Sequence, residues 1–137
     1  MKKICIVASN YYEDIINMLI GGANEAIDNH KKKFKTNIIY VPGVFEIPFA
    51  ISKNLKKYDA FIALGCVIKG ETPHFDFISK SSIDTIMKLS TENKKPIGNG
   101  ILTCLNKDQA IERADKSNKN KGKEAADAAI ELLIGNN

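Results

Sequence analysis

Ala60-Phe61-Ile62-Ala63-Leu64 carries no charged or polar side chain, and the run ends at Gly65. A short apolar run bounded by turn signals reads as a strand buried on both faces. Burial on both faces requires a helix layer above the strand and another below it. After Gly65 come Cys66-Val67-Ile68-Lys69-Gly70-Glu71-Thr72-Pro73-His74-Phe75-Asp76, then a helical pattern with apolar Phe75, Ile78, Ile83, Ile86 and Met87 and no Gly or Pro until Pro96. The stretch is a strand-to-helix turn at the carboxyl end of a central strand, where open α/β sheets bind ligands.

The chemistry of this turn suits an anion. Thr72 is expected to cap the helix, with Pro73 at its first position and His74 one residue inside it. That leaves the N–H groups of Gly70, Glu71, Thr72 and His74 free to meet phosphate at a helix N-terminus. The Glu71 carboxylate would repel phosphate, so it is expected to point away and to contribute only backbone. His74 can exchange protons near neutral pH. A capped turn with a surface histidine is the plain structural alternative, because the spacing is not that of a standard phosphate loop.

With 137 residues the chain can bury the core of one domain, read here as residues 1–137. A net charge of +4 is too mild to imply nucleic acid by itself. The run His30-Lys31-Lys32-Lys33-Phe34-Lys35 reads as a solvated helix end, and neither nucleic acid nor membrane is expected as a partner. Arg113 is the one arginine, and an arginine among so many lysines is a candidate for a role needing a planar, bidentate fork. Cys5, Cys66 and Cys104 are odd in number and widely spaced, so they read as buried thiols in a reducing compartment. No signal peptide or membrane span is evident, and a cytoplasmic location is expected.

Taken in order, the chain reads as strands over Lys3–Ala8, Thr36–Val41, a third within Tyr58–Ile68, and Pro96–Leu102. Helical stripes run to about Asn29, from Ile47-Pro48 to near Lys57, from the central turn to about Glu92, over Lys107–Ala114, and from about Lys123 to Ile134. The order β-α-β-α-β-α-β-α-α with short connections implies a four-stranded parallel sheet in a three-layer α/β/α sandwich, flavodoxin-like in kind.

The turns after the four strands are expected at one edge of the sheet. They would gather Tyr11 and Tyr12, then Val44, Phe45 and Glu46, then Gly70 to His74, then Asn99 to Cys104. Aromatics, a carboxylate and a histidine at one edge suit a planar, polar small molecule. Standard alternatives fail. There is no phosphate-loop or dinucleotide glycine fingerprint, no Asp ending the third strand as a phosphoacceptor domain needs, and no Cys/His spacing for a metal.

Four segments make a resemblance specific: Val41-Pro42-Gly43-Val44-Phe45-Glu46-Ile47-Pro48, the central stretch from Gly65 to Asp76, Gly100-Ile101-Leu102-Thr103, and Gln109-Ala110-Ile111-Glu112-Arg113-Ala114. In order and spacing they resemble the 6,7-dimethyl-8-ribityllumazine synthases. The resemblance implies condensation of 5-amino-6-ribitylaminouracil with 3,4-dihydroxy-2-butanone 4-phosphate, releasing phosphate and water, as the penultimate step of riboflavin synthesis. It implies no cofactor and no metal. By the same resemblance, Tyr11 stacks on the pyrimidine, and Val44, Phe45 and Glu46 hold the ribityl chain and ring. The strand end Cys66, Val67 and Ile68 reads the pyrimidine edge through its backbone. Glu71 and Thr72 form the phosphate turn and His74 transfers protons. Arg113 binds phosphate, with Lys121 a basic residue near the same pocket, and Asn99 stands at a further substrate-binding position.

The sequence also departs from the family pattern. Asn99 stands where members often carry Phe, Lys69 replaces a usual Arg, Ser117 a usual Lys and Asp115 a usual Gly. The N-terminal extension that many members lay across a neighbour is not seen. The resemblance implies homopentamers whose sites are shared between adjacent subunits, and leaves shells of twelve pentamers open. A non-catalytic flavin- or pteridine-binding module on the same fold is the rival reading, which His74 and Arg113 disfavour because binding a ring requires no phosphate site.

Overall fold

The computed structural model describes residues 1–135. Strand and helix alternate from the start: β1 (Lys3–Ser9), α1 (Glu13–Asp28), β2 (Lys35–Val41), a 3₁₀ turn (Val44–Glu46) running into α2 (Ile47–Asn54), β3 (Ala60–Ile68), α3 (His74–Asn93), β4 (Ile97–Cys104), α4 (Lys107–Ala114) and α5 (Lys121–Ile134). All strand pairings are parallel, in the order β2-β1-β3-β4. The charge-free run is the first part of β3, and Ala60 to Leu64 have no exposed surface. Side chains alternate across each strand. Ile4, Ile6, Ile62 and Leu64 pack under α1, α4 and α5, while Cys5, Val7, Phe61 and Ala63 pack under α2 and α3. This is the expected three-layer α/β/α sandwich. Among the described residues no helix is long and apolar enough to cross a membrane.

Several expected boundaries move. The fourth strand, expected to end at Leu102, runs on to Cys104, so the residues Asn99 to Cys104, also expected among the turns, all lie in β4. Gly65, Cys66, Val67 and Ile68 pair with Ile101, Leu102, Thr103 and Cys104 and hold it in the sheet. The fourth turn is Leu105-Asn106, where the Asn106 Oδ1 accepts from the Gln109 N–H at 2.9 Å and caps α4. Helix α2 stops at Asn54, short of Lys57, and the chain goes on in a tighter turn in which the Lys57 N–H donates to the Asn54 carbonyl at 3.0 Å.

Helix α3 begins later than expected. The Pro73 carbonyl accepts from Asp76 at 3.1 Å and Phe77 at 3.2 Å, so Pro73 is the cap and His74 the first helical residue. Thr72 Oγ1 accepts from the His74 N–H at 3.4 Å, which withdraws that N–H from the set expected to be free.

Helix α5 begins two residues earlier than expected, at Lys121. Gly122 reads as part of a polar break, yet it is where α5 presses onto α1. A Cβ there would collide with the Leu19 carbonyl, so only glycine permits this approach. The alanine stripe Ala125, Ala126 and Ala129 continues the contact onto the sheet.

Candidate active site

A cleft of about 680 Å³ opens at the carboxyl ends of β1, β2 and β3. Its floor is made by a difference in strand length. The β1–β3 ladder ends where Ala8 meets Leu64, but β3 continues with β4 as far as Ile68 opposite Cys104. With Ser9 level with Gly65, residues Cys66 to Ile68 therefore run past the end of β1. Cys66, Val67 and Ile68 line the cleft there, with backbone groups available to a planar polar edge. Gly65 keeps the floor low, since a Cβ would lie 2.7 Å from Val44 Cγ2 and 3.1 Å from Ser9 Oγ.

Two aromatic walls stand over this floor. Tyr11, from the β1–α1 turn, is 74% exposed, and Phe45, from the 3₁₀ turn, is 65% exposed. Phe45 could have been ordinary core, and that much exposure excludes it. Tyr11 and Tyr12 meet edge to face, with ring centroids 4.9 Å apart. Val44 is buried beneath Phe45, and the half-buried Glu46 sits at the N-cap position of α2 on the same wall.

The central turn closes the third side. Gly70, Thr72 and His74 line the cleft, while Glu71 is exposed and lies outside the lining, as its charge requires. Among the described residues the N–H groups of Gly70, Glu71 and Thr72 find no partner, which leaves them available just ahead of the N-terminus of α3. Phe75 and Ile78 also line the cleft and were not anticipated as site residues. The spacing offers a signal for Ile78, which is four residues after His74 and so shares its helix face.

Burial sets the local electrostatics. It pushes the Cys66 thiol up to about 12, with Cys104 and Asp14 adding to the shift, so Cys66 is a neutral wall and not a thiolate nucleophile. Burial also raises the Tyr12 hydroxyl above its ordinary value, helped by Tyr11 and Cys66. The Lys107 ammonium, 3.2 Å from Asp14, holds that carboxyl below its usual range and ties α4 to α1 at the same edge. No grouping of His, Cys, Asp and Glu among the described residues could hold a metal ion.

Three of the anticipated site residues lie elsewhere. Asn99 is in β4 opposite Ala63, well before the strand's carboxyl end, and its Oδ1 accepts from the Ile101 N–H at 3.0 Å. Arg113 is in the last turn of α4, half-buried, and its Nη1 donates to the Gln109 carbonyl at 3.2 Å. It has no ion pair among the described residues. Asp115, the neighbour that could have neutralised it, instead accepts from the Ser117 N–H and hydroxyl at 2.9 and 2.8 Å. Those bonds hold the Asp115 carboxyl below its usual range. Lys121 opens α5 and pairs with Glu124 at 3.0 Å. None of the three lines the cleft of their own chain.

Comparison with known proteins fits this arrangement. The family model described as 6,7-dimethyl-8-ribityllumazine synthase matches residues 1–135. The protein of that name from Zymomonas mobilis is 45% identical over 135 residues, covering 97% of this chain and 95% of its own. The one from Bartonella tribocorum is 44% identical over 133 residues, covering 95% and 87%. The one from Sulfurimonas denitrificans is 42% identical over 135 residues, covering 96% and 88%. The match over nearly the whole chain shows that it belongs to the 6,7-dimethyl-8-ribityllumazine synthase family.

Proposed function

We propose that the cleft condenses 5-amino-6-ribitylaminouracil with 3,4-dihydroxy-2-butanone 4-phosphate to give 6,7-dimethyl-8-ribityllumazine, phosphate and water, without a cofactor. The observation that carries this reading is the three-residue extension of β3, Cys66 to Ile68, past β1 between two exposed aromatic rings. It offers a slot for one planar ring, with backbone groups along one side. In this reading the pyrimidine lies against Tyr11 with its polar edge on Cys66, Val67 and Ile68. The ribityl chain runs along Val44, Phe45 and Glu46.

The butanone phosphate rests on the open N–H groups of Glu71 and Thr72. The pyrimidine's amine attacks the ketone carbon, and the carbinolamine loses water to give an imine. Elimination of phosphate breaks the C–O bond to the leaving group. The ribityl-bearing amine then closes the second ring, and a second water leaves. Each step moves a proton, and His74 at the mouth of the turn relays them. Holding the two substrates side by side supplies much of the acceleration.

The phosphate site of one chain is incomplete in this reading. Arg113 and Lys121 add the cations, and Asn99 a further contact, from an adjacent copy in a homo-oligomer, a pentamer or a shell of pentamers. Support comes from Arg113, which carries no ion pair among the described residues yet lies outside the cleft. Three free, buried cysteines agree with action in the cytoplasm. Mixing the two substrates with the protein and following lumazine fluorescence tests the reaction. Product should form far faster than in buffer. Flavin binding with product at the buffer rate would make the chain a binding module instead.

A further inference from the structure

The two edges of the sheet differ in charge. Every loop that enters a strand lies at the amino edge, because all four strands are parallel and their starts are in line: Lys3 faces Lys35, Ile4 faces Ala60, and Phe61 faces Ile97. Lys2 and Lys3 enter β1, and Lys31, Lys32, Lys33 and Lys35 enter β2. Lys56 and Lys57 enter β3, and Lys94 and Lys95 enter β4. Half of the chain's 20 cationic residues are thus at one edge, although no single segment has more than four of them.

Among the described residues the side-chain carboxylates at that edge are those of Asp28, Asp59, Glu92 and Glu131. The local excess is six positive charges, while the rest of the chain sums to about −2 against a total of +4. None of these ten lysines is in an ion pair among the described residues. The six ion pairs use Lys80, Lys88, Lys107, Lys116, Lys121 and Lys123, and one of them, Lys88 with Glu92 at 3.9 Å, takes up a carboxylate of this edge. Nine of the ten are exposed; Lys95 is half-buried and donates to the Tyr58 carbonyl at 2.8 Å. Lys2, Lys32 and Lys33 border a depression of about 590 Å³ whose one carboxylate, Asp59, is already held by the Lys3 N–H at 2.8 Å.

We propose that this edge docks the phosphate backbone of a nucleic acid, without reading its sequence. Lysine points distributed over four adjacent loops suit a chain of phosphates. Of the large apolar residues in these loops, Phe34, Leu55 and Tyr58 pack onto the two cores, and Met1 stands exposed as a single side chain among ten lysines. An anionic membrane surface would be met better by apolar side chains pointing outward to insert among the lipids, so the phosphate backbone is favoured over a lipid face. The surface is remote from the cleft, which lies at the opposite edge.

The test uses the assembled protein and a fluorescein-labelled single-stranded uridine RNA of about 20 nucleotides, followed by anisotropy from about 50 to 200 mM salt. Binding should weaken with a log–log slope of about −0.7 per phosphate met, a total of about −3 or steeper. Lys31→Gln/Lys32→Gln/Lys33→Gln should lose at least about tenfold in affinity while lumazine formation stays unchanged. Lys80→Gln/Lys107→Gln/Lys123→Gln, with the same change in net charge, should lose less than about twofold. Equal losses in the two variants would reduce the effect to net charge and overturn the proposal. So would absence of RNA binding at low salt, or tight binding to phosphatidylserine vesicles without binding to RNA.

Discussion

The residues on β1, β2 and β3 converge on one cleft, whereas Asn99, Arg113 and Lys121 on β4, α4 and α5 face other surroundings. The first group is placed by the sheet itself, since parallel strands deliver their following turns to one edge and β3 outruns β1. The second group has no such convergence. Its arginine is half-buried and, among the described residues, has no ion pair and donates to the Gln109 carbonyl. A fold can assemble one part of a site by topology alone and leave another part to be brought up by a second copy of the chain. The contrast separates recognition of the ring, local to one chain, from recognition of the phosphate, which on this account spans two.

Arg113 offers the largest expected effect. A guanidinium grips two phosphate oxygens, and hydrogen bonds to charged groups are worth roughly 1.5–3 kcal/mol. Arg113→Ala should lower kcat/KM for the butanone phosphate by roughly 10- to 150-fold, with KM for the ribityl pyrimidine little changed. Arg113→Lys should recover part of the loss. Steady-state kinetics with each substrate varied in turn reads this, and untouched constants would make the arginine a bystander.

His74→Ala sharpens the other half. A positioned acid/base contributes about 10²- to 10⁴-fold, and the low end is expected because the substrates stay held together. The loss should appear in kcat, with affinity for the ring retained. An unchanged rate and pH profile would remove His74 from proton transfer.

The fold was legible because Ala60–Leu64 admits one reading and the strand–helix alternation then fixes the layers. The near half was legible for the same reason: a turn after a parallel strand can only be at one edge. Other features were hidden by competing local signals. Thr103 and Cys104 look like the turn after the fourth strand, yet pairing with Val67 and Ile68 makes them the end of β4. Thr72-Pro73 looks like a cap followed by a first helical residue, but the Pro73 carbonyl starts the ladder. Gly122 looks like part of a loop, and contact with Leu19 makes it helix. The gathering of ten lysines at the amino edge was invisible because it is a property of topology, not of any run in the sequence.

Gly65→Ala probes the floor of the near half. The added methyl would press on Val44 and Ser9, and overpacking of this kind costs about 1–3 kcal/mol. A lower urea midpoint should accompany a weaker hold on the ribityl pyrimidine. A midpoint equal to wild type would mean that the floor yields easily.

The smallest effect concerns alkaline pH. Burial raises the Cys5 thiol to about 11 and the Cys66 thiol to about 12, from an ordinary value of 9.0. Below pH 9 both states hold these protons. As pH rises from about 9 through 11–12 the unfolded chain loses them while the folded chain keeps them, so stability falls. Urea midpoints should decline over that window, and less steeply in Cys66→Ala.

Complementation tests the shared site directly. Phe45→Ala/His74→Ala cripples the near half and Arg113→Ala the far half, each in an otherwise intact chain. Co-refolding the two variants in equal amounts should form some sites that take an intact near half from one chain and an intact far half from the other. Lumazine-forming activity should then rise well above the sum of the separate variants, toward about a quarter of wild type for random mixing in a closed ring. Activity that stayed at that sum, in oligomers shown to contain both chains, would contradict a site shared between copies.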